Sequence, residues 1–174
     1  MDDLPTIAPA RPEHLPALAA IELAAATLLE GHAPPSVLQS VIPSASLRLA
    51  QQEGRLWVAL AGDLPVGFAF VEMLGPGRPH IEELDVHPQH GRRGLGTALV
   101  RAVLDWAARQ QFAEVTLITF RAVPWNMPFY ARLGFEPMAP HDVSPEIAAV
   151  ARAEALRGLD PDKRIAMRFR VKPA

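Results

Sequence analysis

Apolar residues dominate Glu13 to Leu29 without a single glycine, which predicts a helix; the glycine and prolines of EGHAPP end it. Ahead of it, TIAPARP predicts a short strand broken by prolines, and a second, short helix is expected around Ser36 to Ile42. In RLWVALAGDLPVGFAFVEML, β-branched and aromatic residues flank Gly62 and Asp63, the pattern of two strands joined by a tight turn. HIEELDV alternates apolar and acidic positions and predicts a third strand of this region. Then Leu95, Ala98, Leu99, Ala102, Val103, Trp106 and Ala107 recur at the spacing of one helix face. EVTLITF predicts a strand, MPFYARLGF a short helix closed by Gly134, Pro145 to Arg157 a further helix, and RIAMRFRV a last strand. That order gives an α/β (α+β) chain with a mixed sheet, expected as one domain over residues 1–174.

Composition narrows the classes. Of 174 residues, 49% are hydrophobic and 21% charged, a globular balance, and the length suits one well-buried domain. The net charge of -2 gives no positive field that would point to a nucleic-acid or membrane-surface partner. There is no cysteine, hence no disulfide, thiol nucleophile or thiolate metal site. MDDLPTIAPARPEHL has neither the basic start nor the apolar run of a secretory signal. The longest apolar stretch, Leu15 to Leu29, holds Glu22 and falls short of the ~20 residues a membrane span needs. A cytoplasmic protein is the expectation.

The stretch VHPQHGRRGLGTALV, residues 86–100, concentrates glycines and arginines directly before a helix. A helix start has N–H groups without internal partners and partial positive charge, and glycines let backbone approach an anion, so such a turn can hold phosphate. A tight strand-to-helix turn accounts for the same residues. The nucleotide P-loop is excluded because no lysine follows the glycines. The dinucleotide fingerprint is excluded because Gly91, Gly94 and Gly96 give G-x-x-G-x-G and the chain lacks an alternating β-α order.

LDVHPQHGRRGLGTALV resembles the acyl-CoA binding segment of the GNAT N-acetyltransferases, with Val86, Pro88, Gly94 and Gly96 in register. WNMPFYARLGF resembles that family's later segment through Asn126, Tyr130, Gly134 and Phe135, and the likeness extends roughly from TIAPARP to RIAMRFRV. The resemblance implies a mixed, mostly antiparallel central sheet flanked by helices and splayed between its fourth and fifth strands. It implies acetyl-CoA as co-substrate, no metal, and backbone donors from Arg92 to Thr97 holding the pyrophosphate. Carried over, the cofactor-binding residues are Leu84, Asp85, Val86, Gly91, Arg92, Arg93, Gly94, Leu95, Gly96, Thr97, Asn126 and Phe129. Two departures stand: Gly91 occupies the family's usual Arg/Gln position, and the Asn126-to-Tyr130 spacing is short and contains Pro128. Dimers are common in the family, so a homodimer is a further expectation.

Acyl transfer to an amine needs a base for the ammonium proton, a donor for the oxyanion and an acid for the leaving thiolate. Tyr130, the one tyrosine, is the expected acid; the alternative is an aromatic filling core beside Phe129 and Leu133. For the base, Glu82 is preferred and Glu83 second. Plain alternation would set Glu82 with Leu84 and Val86, and Glu83 with Ile81 and Asp85, while the family commonly has a bulge on this strand that re-aims side chains. The competing reading is that both glutamates face solvent or bind a cationic acceptor. His87 and His90 with Asp85 superficially suggest metal ligands, but Pro88 and the turn favour exposed loop residues. Asn126 is a pantetheine contact or a helix N-cap, Trp125 a cofactor contact or core, and Arg132 a phosphate contact or a solvated side chain. The acceptor, a small-molecule or peptide amine, is not readable: AATLLEGHAPPSVLQSV and the C-terminal segment show no acidic cluster and no aromatic cage. An acyl-CoA sensor without turnover, or a nucleotide-binding protein, are the other readings.

Overall fold

A computed structural model describes residues 5–172 and so leaves out the acidic start at Asp2 and Asp3. Its strands are β1 (Thr6–Pro9), β2 (Leu56–Ala61), β3 (Leu64–Met73), β4 (Pro79–Val86), β5 (Glu114–Phe120), β6 (Glu136–Pro137) and β7 (Arg164–Arg170). Its helices are α1 (Leu15–Ala26), α2 (Pro35–Leu38), α3 (Ser44–Gln52), α4 (Leu95–Arg109), α5 (Met127–Arg132) and α6 (Pro145–Leu156). The sheet runs β1-β2-β3-β4-β5-β7-β6, and every neighbouring pair is antiparallel except β4 with β5. This is the mixed, mostly antiparallel sheet expected.

The predicted elements are present, with three differences. The first helix tightens into single 3-10 turns at both ends, Pro12–His14 and Thr27–Leu29. The helix expected around Ser36 to Ile42 is the one-turn α2, and the real second helix, α3, was not expected. Only Leu47 and Ala50 of α3 are buried, at i and i+3, and its polar remainder hid that stripe. Two-residue β6 is too short to carry a pattern.

Helices cover both faces of the sheet. On one face Leu95, Leu99, Val103 and Ala107 of α4 pack on Ala69, Val71, Ile81, Val115 and Leu117. The expected stripe is thus the buried one, although Ala98, Ala102 and Trp106 are only partly buried and Val100 joins the core. On the other face Leu18 and Ile21 of α1, with Leu47 and Ala50 of α3, close over Val58, Phe68 and Phe70. Each fully buried aliphatic side chain contributes about 1.5–3 kcal/mol.

β4 and β5 pair only at His80–Thr116 and Ile81–Leu117, then diverge. The buried His80 Nδ1 and Thr116 Oγ1 lie 2.8 Å apart and fasten the strands at that end. From Glu82 to Val86 the edge of β4 toward β5 has no strand partner among the described residues. The sheet is splayed between its fourth and fifth strands, as expected.

Candidate active site

The ladder between β3 and β4 slips by one residue: Phe70 faces Glu83 while Val71 faces Ile81, so Glu82 is the extra residue of a bulge. Simple alternation is therefore corrected. Ile81 shares the α4-side core with Leu84 and Val86, whereas Glu83 and Asp85, opposite Phe70 and Phe68, turn to the α1 and α3 side. Glu82 does not join Leu84 and Val86. It lines, together with Glu83, a cavity of about 430 Å³.

That cavity lies between α1, the segment at 40–43, β3, β4 and α6, and adds Glu22, Glu72 and Arg157 to its wall. Glu22 is 8% exposed, and its two carboxylate oxygens accept from the Ile42 N–H at 3.1 and 3.0 Å. Burial raises the Glu22 carboxyl above the ordinary range. Glu82 is exposed toward the cavity, yet desolvation by surrounding protein and then the charges of Glu154 and Glu72 raise it too. Glu83 is pushed up to about 8, first by burial, then by Glu22 and Glu82. Asp85 is raised well above the usual range by burial and by Glu83, and its Oδ2 is buried without a hydrogen-bond partner among the described residues.

Tyr130 lies on α5, its ring edge-on to Phe129 at 5.0 Å and to Phe135 at 5.7 Å. Burial, followed by the charges of Glu83 and Asp85, raises its hydroxyl, so it stays protonated. The Tyr130 hydroxyl thus feels the charge of the same carboxyls. It also packs against the α4-side core, as the core-filling reading expected.

Beyond Val86 the chain makes a 3-10 turn, Pro88–His90, and enters α4 at Gly94. The residues Arg92 and Gly94 have φ of 59° and 79°. Successive left-handed positions of this kind turn neighbouring N–H groups into one concavity. The N–H groups from Arg92 to Thr97 make no hydrogen bond among the described residues; the first paired one is Ala98, to the Gly94 carbonyl at 2.9 Å. Arg92 and Arg93 are exposed beside them. Gly96 admits the Phe129 ring, which would stand 3.4 Å from an added Cβ. Leu95 is buried and fixes the helix start to the core.

Asn126 heads α5 but makes no capping side-chain bond among the described residues. Trp125 is 49% exposed and edge-on to His32 at 5.9 Å, outside the core. Arg132 is exposed. The His87 ring accepts from the Gln89 N–H at 3.3 Å within the turn. Among the described residues no group of three or more His, Asp or Glu is placed to hold a metal ion.

Glu22, Glu72 and Arg157 were not among the expected site residues. Glu22 had a signal, being the lone charge in the apolar run of α1; Glu72 and Arg157 had none, since chain folding alone brings them to the cavity.

The model of the acetyltransferase (GNAT) family matches residues 20–135. The chain belongs to that family. It is 35% identical to N-acetyltransferase 8F1 of Rattus norvegicus over 88 residues, 48% of this chain and 40% of that protein. It is 45% identical to the mycothiol acetyltransferase of Segniliparus rotundus over 53 residues, 30% of this chain and 20% of that protein. The family member therefore spans half or less of the length of the curated relatives it matches. In fold it is similar to the PaiA N-acetyltransferase of Thermoplasma acidophilum, solved with coenzyme A, at TM-score 0.73 and 15% identity over 95% of this chain and 98% of that one.

Proposed function

We propose that this protein transfers the acetyl group of acetyl-CoA directly to a primary amine, with residues 1–174 acting as one catalytic domain. The observation that carries the proposal is the run of N–H groups from Arg92 to Thr97 that have no partner among the described residues, on the turn that follows the half of β4 left unpaired by β5. These donors, with the partial positive charge of the α4 start, suit a pyrophosphate. Exposed Arg92 and Arg93 supply the counter-charge that the family's side chain at Gly91 would otherwise provide. The unpaired edge of β4 at Leu84, Asp85 and Val86 suits the amide groups of a pantetheine arm, which would add like a short strand. Asn126, at the head of α5, and Phe129, against Gly96, border the same channel.

The thioester then lies in the splay between Glu83 and Tyr130. Glu83 takes the proton of the bound ammonium group, the free amine attacks the acetyl carbon, and a C–N bond forms as the C–S bond breaks. Tyr130 gives its proton to the departing sulfur, and the second proton of the attacking nitrogen, made acidic by the new C–N bond, restores the tyrosine, so that a neutral amide, a free thiol and one proton on Glu83 result. A base near pH 8 is matched to an alkyl ammonium within a few units, and Tyr130 carries its proton throughout that range. The bulge makes Glu83 the favoured base over Glu82, because Glu83 shares its strand face with Asp85 and acts on Tyr130, whereas Glu82 stands farther out beside Glu72 and Glu154. The four-carboxyl cavity is the place for the acceptor.

Calorimetry with coenzyme A and a thiol-release assay with a panel of primary amines test this reading. Heat from coenzyme A and thiol release with at least one amine are expected. No heat from coenzyme A with folded protein refutes it; heat without turnover on any amine turns the protein into an acyl-CoA sensor.

A further inference from the structure

The buried stripe of α1 reads Leu18, Ile21, Glu22 and Ala25, the i, i+3, i+4, i+7 rhythm of a core-facing helix side, with a carboxylate in the middle of it. That carboxylate has one hydrogen-bond donor among the described residues: both Glu22 oxygens accept from the Ile42 N–H, at 3.1 and 3.0 Å. Ile42 belongs to the irregular stretch 39–43 between α2 and α3, of which Ser40, Val41, Ile42 and Pro43 line the cavity of about 430 Å³. Within residues 41–43 the Ile42 N–H is the one backbone donor with a partner among the described residues, since Val41 has none and Pro43 lacks an N–H. Ser40 is fastened separately: its hydroxyl donates to the Val37 carbonyl at 2.8 Å and accepts from Arg157 at 3.3 Å. Val41 and Pro43 are exposed, and of this stretch Ile42 alone packs against the core on the α1 and α3 side.

Resting on the acyl-transfer reading, we infer that Glu22 is a positioning residue for the acceptor: through the Ile42 N–H it fixes residues 40–43 as one wall of the cavity in which the amine binds. The charge weighs against the fold. Burial raises the Glu22 carboxyl by more than the Ile42 bond lowers it, so the anion is a net cost to α1. A leucine at this place would continue the apolar stripe, but it would not hold Ile42. A carboxylate is a stronger acceptor than a neutral oxygen, and here it grips backbone that has no other such bond. When the bond is lost, the Ile42 N–H turns to water along with the exposed residues on either side of it. The wall then moves while the sheet beneath it stays folded. Helix patterning is thus broken at one position of α1, as happens where a residue is kept for function.

Thiol release with the most active amine of the panel gives KM and kcat for the wild type, Glu22→Leu and Glu22→Gln, with thermal unfolding and coenzyme A calorimetry on each full chain. Glu22→Leu should raise the acceptor KM about tenfold or more while kcat changes by less than about threefold. Its coenzyme A affinity should hold, and its Tm should stay level or rise. Glu22→Gln keeps one acceptor oxygen for Ile42 and should recover at least about threefold of that loss. Amide exchange at Ile42, read by NMR on isotope-labelled protein, should speed up about tenfold or more in Glu22→Leu and less in Glu22→Gln. A KM as poor in Glu22→Gln as in Glu22→Leu, or an unchanged Ile42 exchange, overturns the inference. So does a lower Tm in Glu22→Leu, because the carboxylate then serves the fold. Thiol release with an unmoved KM in Glu22→Leu refutes this inference alone. No thiol release by the wild type with any amine refutes acyl transfer and the inference with it.

Discussion

Replacing Glu83 by glutamine separates the cost of this side chain in the fold from its use in the reaction. Its carboxyl stands at about 8 instead of 4.5 because the anion is buried near Glu22 and Glu82. The folded state therefore binds more protons than the unfolded one between those values, and stability falls as pH rises through that window. At about 1.4 kcal/mol per unit, the penalty of the wild-type carboxylate is about 1 kcal/mol at pH 5, about 3 at pH 7 and near 5 at pH 9. Some of this belongs to Glu22 and Glu82, which titrate with it, so the expected change in the stability difference between variant and wild type from pH 5 to 9 is about 2–4 kcal/mol. Glutamine has no such titration, so Glu83→Gln gains on the wild type with every step toward alkaline pH. Urea unfolding at several pH values measures that margin. The matching rate measurement should show wild-type turnover rising toward an inflection near pH 8 and the variant slow and flat. A stability margin that stays constant or shrinks with pH refutes the burial of an ionisable carboxyl at this position. An unchanged rate profile refutes its role as base.

Tyr130→Phe should lower kcat by about 10²-fold or more while coenzyme A affinity, read by calorimetry, moves little; wild-type turnover would remove it as the acid. Gly67→Ala places a Cβ 2.8 Å from the Asp85 carbonyl and 3.2 Å from Val86, so it should cost about 1–3 kcal/mol in denaturant unfolding and disturb the end of β4. Gly94→Ala meets no neighbour but must keep φ near 79°, which should cost about 1 kcal/mol and weaken coenzyme A binding through a distorted turn. His80, held neutral by burial with its value lowered to about 4, binds fewer protons folded than unfolded; below its ordinary 6.5 the fold should lose stability, up to about 3 kcal/mol, and His80→Asn should flatten that acid limb of the unfolding curve.

The elements that carry the family motifs were legible because their signals are local. A glycine-rich turn before the apolar stripe of Leu95, Leu99 and Val103 specifies a helix start wherever it occurs, and the donors at Arg92 to Thr97 follow from that start alone. The hairpin about Gly62 and Asp63 and the cap at Gly134 are equally short-range, and the latter has the expected positive φ of 98°. Helix α3 escaped because two buried residues in nine leave almost no periodic trace.

The sequence by itself determined the order of the longer strands and of α1, α4, α5 and α6, and the donor turn before α4, and it offered Tyr130 and the two neighbouring glutamates as candidates. Only the tertiary structure decided which way those glutamates point. Side-chain direction along a strand is a parity that one extra residue reverses, and whether Glu82 is that residue depends on how β4 pairs with β3. The acidic wall is a second such decision. Glu22, Glu72, Glu82 and Arg157 come from separate elements, and their mutual repulsion and attraction exist only once the chain has closed around one cavity.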